Sequence, residues 1–199
     1  MKVIVIGASG DIGRTICAEI SSRHEVIRVG RKSGDIHADI CDQASLEAMY
    51  VNAGPVDAVV TAVGSVHFAA VTEFTESTFL LGLKHKAMGQ INVVLIGLKH
   101  IKDGGSFTLT SGVLNRDPIR MGAGAAAANG AIDGFVVGAA IEMPRGLRVN
   151  AVSPGILDTS LERYGSWFPG HEPVASKRVG LAYAESVEGA ITGKVIIVK

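Results

Sequence analysis

The sequence predicts an α/β fold in which helices cover both faces of a doubly wound parallel sheet. Short β-branched runs alternate with longer stretches at helical spacing along the 199 residues. Most of the runs are apolar at every position rather than every second one, as strands buried on both faces must be. The first run also ends in a glycine-rich turn that leads straight into a helical pattern.

Strands are predicted at Lys2–Ile6, Glu25–Val29, Ala58–Ala62, Ser106–Thr110, Leu147–Val152 and Lys194–Val198, with a short further one at Ile36–Ala38. Between them Ile12, Ile16 and Ile20 recur at helical spacing, and so do Leu46, Met49 and Tyr50. A longer helix is predicted where Ala128, Ile132, Phe135, Val136, Ala139 and Met143 share a face. Parallel neighbours require right-handed crossovers, which the intervening helices supply. No repeat, charge block or linker interrupts the order, so residues 1–199 are expected to form a single domain.

Hydrophobic residues make up 47% of the chain against 19% charged, which excludes a disordered segment. Lys and Arg balance Asp and Glu at 19 each. A nucleic-acid binder or a polybasic membrane-surface module would need a basic excess, so neither partner is expected. Cys17 and Cys41 make neither a disulfide framework nor a zinc cluster. No apolar run approaches the roughly 18 residues of a membrane span. A soluble, cytoplasmic protein without a metal site, acting on a small molecule, is the expectation.

Chemistry enters at the first turn. Lys2–Ile6 is followed at once by Gly7-Ala8-Ser9-Gly10-Asp11-Ile12-Gly13 and then by a helix. A buried strand, a glycine-rich turn and a helix start form the dinucleotide fingerprint of a Rossmann-like sheet. Glycines admit the pyrophosphate close to the backbone, and the helix N-terminus offers free N–H groups. Gly7, Ser9, Gly10, Asp11, Ile12 and Gly13 are therefore cofactor-binding candidates. A tight turn of another α/β fold would look the same on glycines alone.

The second strand addresses that alternative. An NAD site places an acid at its end, on the ribose hydroxyls. Here the strand runs into Gly30-Arg31-Lys32-Ser33. Arg31 would pair with a 2′-phosphate, and Ser9 and Ser33 would donate hydrogen bonds to it. The predicted cofactor is NADP (NADPH) rather than NAD.

With these residues in place, the chain resembles the short-chain dehydrogenase/reductase family over nearly its full length. Asp39-Ile40 looks like that family's pair beside the adenine. Thr61-Ala62-Val63-Gly64 sits where the family has Asn-x-Ala-Gly, with Thr61, Ala62 and Gly64 as implied cofactor contacts. Thr110-Ser111 closes the fifth strand, where the family's catalytic serine stands. Asn150-Ala151-Val152-Ser153-Pro154-Gly155, with Thr159 following, matches its Asn-x-x-x-Pro-Gly…Thr segment. The resemblance lays Pro154, Gly155, Ile156 and Thr159 along the nicotinamide side of the cofactor. It also implies a homodimer or homotetramer in which the helix of Ala125–Ala128 packs across a subunit interface. The same alanine face would equally suit packing on its own sheet.

The departures from the family pattern concern the chemistry. Its Tyr-x-x-x-Lys pair maps onto Ala125 and Asn129, so the usual proton donor and its lysine are both absent. Lys86, in Lys86-Ala87-Met88-Gly89, falls where many members carry a catalytic asparagine. Ser111 would still polarise a carbonyl oxygen. Lys86 is the first candidate for the replacement proton donor, provided its helix faces the pocket and desolvation lowers its pKa; a solvated lysine in the cluster Lys84-His85-Lys86 is the plainer reading. Tyr164 is the second, on a segment after Pro154-Gly155 that usually covers the substrate. Packing of a lid by Tyr164, Trp167 and Phe168 is its plainer role. Arg116 and Arg120 would suit an anionic substrate, though exposed loop cations are their plainer reading, and His67 and His171 are read as loop histidines.

Two functions follow. The first is an NADP-dependent oxidoreductase of the short-chain type, acting on a carbonyl or alcohol with a rearranged active site. The second is a non-catalytic NADP-binding sensor or regulatory protein. Loss of the Tyr/Lys pair favours the second, and retention of Ser111 and an aromatic lid favours the first.

Overall fold

The computed structural model describes all 199 residues. Its strands are β1 (Lys2–Ile6), β2 (Glu25–Gly30), β3 (Ile36–His37), β4 (Val56–Thr61), β5 (Ile101–Thr110), β6 (Arg148–Pro154) and β7 (Val195–Val198). They form one sheet in the order β3-β2-β1-β4-β5-β6-β7, every neighbouring pair parallel. The predicted doubly wound, Rossmann-like sheet is therefore what the chain forms. Its order reverses between β1 and β4, and connections leaving the two strands diverge there to open a crevice at their carboxyl ends.

The helices are α1 (Asp11–Ile20), α2 (Gln43–Ala53), α3 (Glu76–Gly82), α4 (Gly89–Gly97), α5 (Ala123–Ala140), α6 (Leu161–Tyr164) and α7 (Ser176–Glu188). They divide between the two faces of the sheet. Successive side chains of a strand alternate in direction. Val3 and Val5 thus join Ile16 and Ile20 of α1 and Val179 and Tyr183 of α7 in one apolar layer. Ile4 and Ile6 join Leu46, Met49, Val93 and Ile132 in the other. Each such fully buried side chain contributes about 1.5–3 kcal/mol. This is why the strands read as unbroken apolar runs.

Several boundaries differ from the prediction. β5 starts at Ile101 rather than Ser106, because Ile101 pairs with Val56 before a register shift, across polar residues that carry no strand signal. β4 correspondingly begins at Val56 and ends at Thr61. α5 stops at Ala140, short of Met143, which precedes Pro144 and is extended. Met143 still packs against the core.

The stretch Glu76–Gly97 has no apolar stripe to announce it. α4 is apolar nearly all round, and Leu83–Met88, between α3 and α4, winds as a π-helix. Such wider turns recur at functional sites because they rotate a side chain out of the regular helical register. Lys86 lies within this one. No helix is long and apolar enough to cross a membrane.

Candidate active site

Two adjoining clefts occupy the crevice. The smaller, about 280 Å³, lies over the ends of β1 and β2 and is bordered by Gly7, Ser9, Gly10, Arg31, Asp39 and Ile40. The larger, about 640 Å³, extends over β4, β5 and β6 and is bordered by Gly10, Asp11, Ile12, Pro154, Gly155 and Ile156. Ala62 and Gly64 border both.

The turn after β1 is built for close approach. Gly7 has φ +86°, and a Cβ there would lie 2.5 Å from the Ala62 carbonyl oxygen. At Gly13 a Cβ would lie 2.0 Å from the Gly7 carbonyl oxygen, so only glycine lets α1 close onto the turn. Gly10 caps α1 without a side-chain hydrogen bond, which leaves the first N–H groups of the helix uncapped toward the cleft. Ser33 Oγ donates to Ser9 Oγ at 3.4 Å, drawing the loop after β2 against the turn beside Arg31. The corner at the end of β2 thus holds one guanidinium and hydroxyl donors, with the Asp39 carboxylate farther along the same cleft.

Four of the implied cofactor residues border neither cleft: Ser33, which reaches the first turn only through Ser9, and Thr61, Thr159 and Gly13. Thr61 is fully buried, its hydroxyl hydrogen-bonded to the Gln90 side chain, because a residue in register inside β4 points into the helical layer rather than over the strand end. Thr159 is exposed and pairs with Ser176 Oγ at 3.2 Å. Gly13 acts through packing on Gly7 rather than by bordering the crevice.

Ser111, Lys86 and Tyr164 all border the larger cleft. Ser111 Oγ is buried and has no hydrogen-bond partner in the protein. Lys86 reaches across from the π-helical run and donates to the Ser111 carbonyl oxygen at 2.8 Å and to Asn129 Oδ1 at 2.6 Å. The two positions exchanged relative to the family pattern are therefore in direct contact. Gly64, at φ +142°, makes room for the lysine stem: a Cβ there would lie 2.4 Å from Lys86 Cγ. Burial lowers the Lys86 ammonium to a pKa of about 8, against which the Asp133 carboxylate pulls upward.

Asp133, one turn beyond Asn129, is buried and accepts from Asn115 Nδ2 and Arg116, each at 2.7 Å. Arg116 is an exposed residue paired with Asp133, and neither it nor the exposed Arg120 borders the cleft. Both are the loop cations of the plainer reading, and Asp133 neutralises Arg116. His67 stacks edge-on with Phe74, and His171 with Phe168 beside Asp117. Neither histidine borders the cleft.

The segment after β6 closes the cleft from the outside. Ser160 Oγ donates to Asp11 Oδ2 at 2.9 Å, and Arg163 approaches the same carboxylate at 3.7 Å. Asp11, in the glycine turn, thus fastens this lid to the turn. Tyr164 stands on the lid, 45% exposed, with the Arg163 guanidinium over its ring at 5.6 Å. Trp167 meets Phe68 edge-on at 5.6 Å, bringing the lid against the loop after β4.

Sequence reasoning misses Gln90, Phe68, Ser160 and Arg163. Gln90 is fully buried, donates to the carbonyls of Val63 (3.0 Å) and Thr110 (2.9 Å), and accepts from the Thr110 N–H (2.8 Å). It pins the ends of β4 and β5 where the cleft opens. A glutamine amid the apolar residues of α4 was the available signal; Phe68 and the lid pair had none.

With this geometry in view, comparison with known proteins is direct. A family model described as "Enoyl-(Acyl carrier protein) reductase" matches residues 11–187. The protein lin1944 from Listeria innocua is 45% identical over all of both chains, with a TM-score of 0.98. A small-chain dehydrogenase solved in complex with NADPH is 26% identical over all of this chain and 96% of its own, TM-score 0.86. A short chain dehydrogenase from Burkholderia cenocepacia in complex with NADP shares the fold at 21% identity, TM-score 0.84, over 99% of this chain and 95% of its own. No curated protein matches the chain. The chain belongs to the short-chain dehydrogenase/reductase family.

Proposed function

We propose that this chain is an NADP-dependent carbonyl reductase in which Lys86 replaces the missing tyrosine as proton donor. The observation that carries the reading is the pair of fixed acceptors around Lys86 Nζ, the Ser111 carbonyl and Asn129 Oδ1. An ammonium has three N–H groups, and these contacts occupy two. The third belongs to a side chain that borders the cleft beside the unpartnered Ser111 hydroxyl. Ser111 Oγ and this N–H would both donate to one carbonyl oxygen.

Gly7, Ser9, Gly10, Asp11, Ile12, Arg31, Ser33, Asp39, Ile40, Ala62, Gly64, Pro154, Gly155 and Ile156 would hold the cofactor, with Gly13 supporting the turn from behind. The bound nicotinamide supplies the two electrons and hydrogen that the carbonyl carbon gains. Lys86 gives the oxygen its proton, yielding the alcohol, and takes a proton back from solvent. A pKa of about 8 leaves the ammonium largely protonated at neutral pH yet acidic enough to transfer. Tyr164 serves the lid. We further propose that the chain works as a single domain within a cytoplasmic homodimer or homotetramer, as the family likeness implies.

The test is titration with NADPH and NADH, followed by NADPH oxidation across a panel of carbonyls. NADPH is expected to bind more tightly than NADH, and Arg31→Ala is expected to narrow that difference at least tenfold. An unchanged ratio overturns the cofactor assignment. Tight NADPH binding with no oxidation on any carbonyl identifies a non-catalytic NADP-binding sensor instead, the reading that loss of the Tyr/Lys pair favours.

A further inference from the structure

The class of carbonyl is written in the wall of the larger cleft, and this inference rests on reading that cleft as a carbonyl site. Ala125 borders it from α5, one turn before Asn129, at the position where the family pattern has its phenol. Its buried methyl packs with Val113 and Leu114 into a small apolar cluster, with Phe68 and Phe168 against it. Each of these side chains borders the cleft. Ser111 and Lys86 border the cleft from the β5 and π-helical side, Lys86 Nζ donating to the Ser111 carbonyl oxygen and to Asn129, while the Tyr164 hydroxyl belongs to the lid opposite. The other charged side chains on the rim, Asp11 and Arg163, approach each other at 3.7 Å by the glycine turn.

A substrate matched to these walls has one oxygen for two donors and a flat apolar body for the rest. We propose that the space beside Ala125 receives an aromatic ring attached directly to the reacting carbonyl, making the substrate an aryl aldehyde or aryl ketone. The ring takes the room a phenol would fill, and Phe68 and Phe168 offer it edge-to-face contact. Ala125 is then the residue that sets specificity. An alkyl carbonyl has the same oxygen but leaves the aromatic wall uncovered, and burying that wall is a large share of the available binding energy.

Trp167, the single tryptophan of the chain, meets Phe68 and reports on this wall. The experiment titrates the full chain, with NADP⁺ present, with acetophenone and with butanone. Trp167 fluorescence and ligand-detected saturation-transfer NMR follow binding. Acetophenone is expected to bind saturably, at least tenfold more weakly to Ala125→Phe, and as in the wild type to Ala125→Ser, which keeps the space open. Butanone is expected to be weak and indifferent to both changes. The proposal is overturned if acetophenone shows no saturable binding, if Ala125→Phe binds it unchanged, or if Ala125→Ser weakens it as much as Ala125→Phe does. Ala125-dependent binding without NADPH oxidation would sink the reductase reading and leave the subsite standing. Oxidation with alkyl carbonyls alone, indifferent to Ala125→Phe, would do the reverse.

Discussion

Lys86 is half-buried, its ammonium drawn in between two neutral hydrogen-bond partners. Its counter-charge, Asp133, is shared with Arg116. The folded state therefore holds the lysine proton less tightly than the unfolded chain does, with a pKa of about 8 against 10.5. The sign follows: the protonated amine costs stability below pH 8, and the cost fades as pH rises from 8 toward 10.5. Between pH 7 and pH 9.5 this group alone should return about 2 kcal/mol. Urea unfolding of wild type and Lys86→Met at the two pH values checks it, since the variant should lack that gain. Reduction, if Lys86 is the acid, should lose kcat/KM above an apparent pKa near 8, as the ammonium is titrated away. A wild-type pH–stability curve parallel to that of the variant would mean that Lys86 is solvated.

At the scale of elements, the crevice depends on how closely α1 approaches the turn after β1. A Cβ at Gly13 would overlap the Gly7 carbonyl, whereas one at Gly10 would lie 3.4 Å from the same oxygen. Gly13→Ala should therefore displace α1, costing about 1–3 kcal/mol and at least tenfold in NADPH affinity. Gly10→Ala should cost far less in stability. Urea titrations and NADPH fluorescence separate the two, and equal effects would refute the packing account. The π-helical run works at the same scale. It places Lys86 under Gly64 and against Asn129, a contact between elements 43 residues apart.

For the whole molecule, α5 presents two different faces. Ala125 and Ala128 are buried within the protomer, against Val113 and Leu114 after β5 and beside Gly82 of α3 respectively, rather than on the sheet itself. Gly130, Gly134 and Gly138 recur at every fourth residue on the outer face, all exposed, with nothing within 4 Å of a Cβ placed at any of them. Each costs about 0.8–1.0 kcal/mol relative to alanine in a helix, and no contact inside the protomer repays it. If the chain assembles through this face, Gly134→Leu should dissociate the assembly in analytical ultracentrifugation. A protomer that is monomeric to begin with should instead gain about 1 kcal/mol from Gly134→Ala, and that result would remove α5 from any interface.

Periodicity and local chemistry made much of this protein legible in its sequence. The buried parallel strands announced themselves as unbroken apolar runs, and the glycine turn, Arg31 and Ser111 were marked by residue type at a strand end. The exchange at Lys86 and Asn129 was visible as two departures from one pattern. That the two side chains touch was decided only by the tertiary structure, because they lie on different elements brought together by a π-turn that has no sequence period. The same holds for Gln90, which pins β4 to β5, and for Asp11, which fastens the lid. It also holds for Thr61, whose direction depends on strand register, and for the aromatic wall around Ala125. Local pattern records which face of an element is buried. What meets that face across the fold is set by packing between distant segments, and a single chain read in order does not contain it.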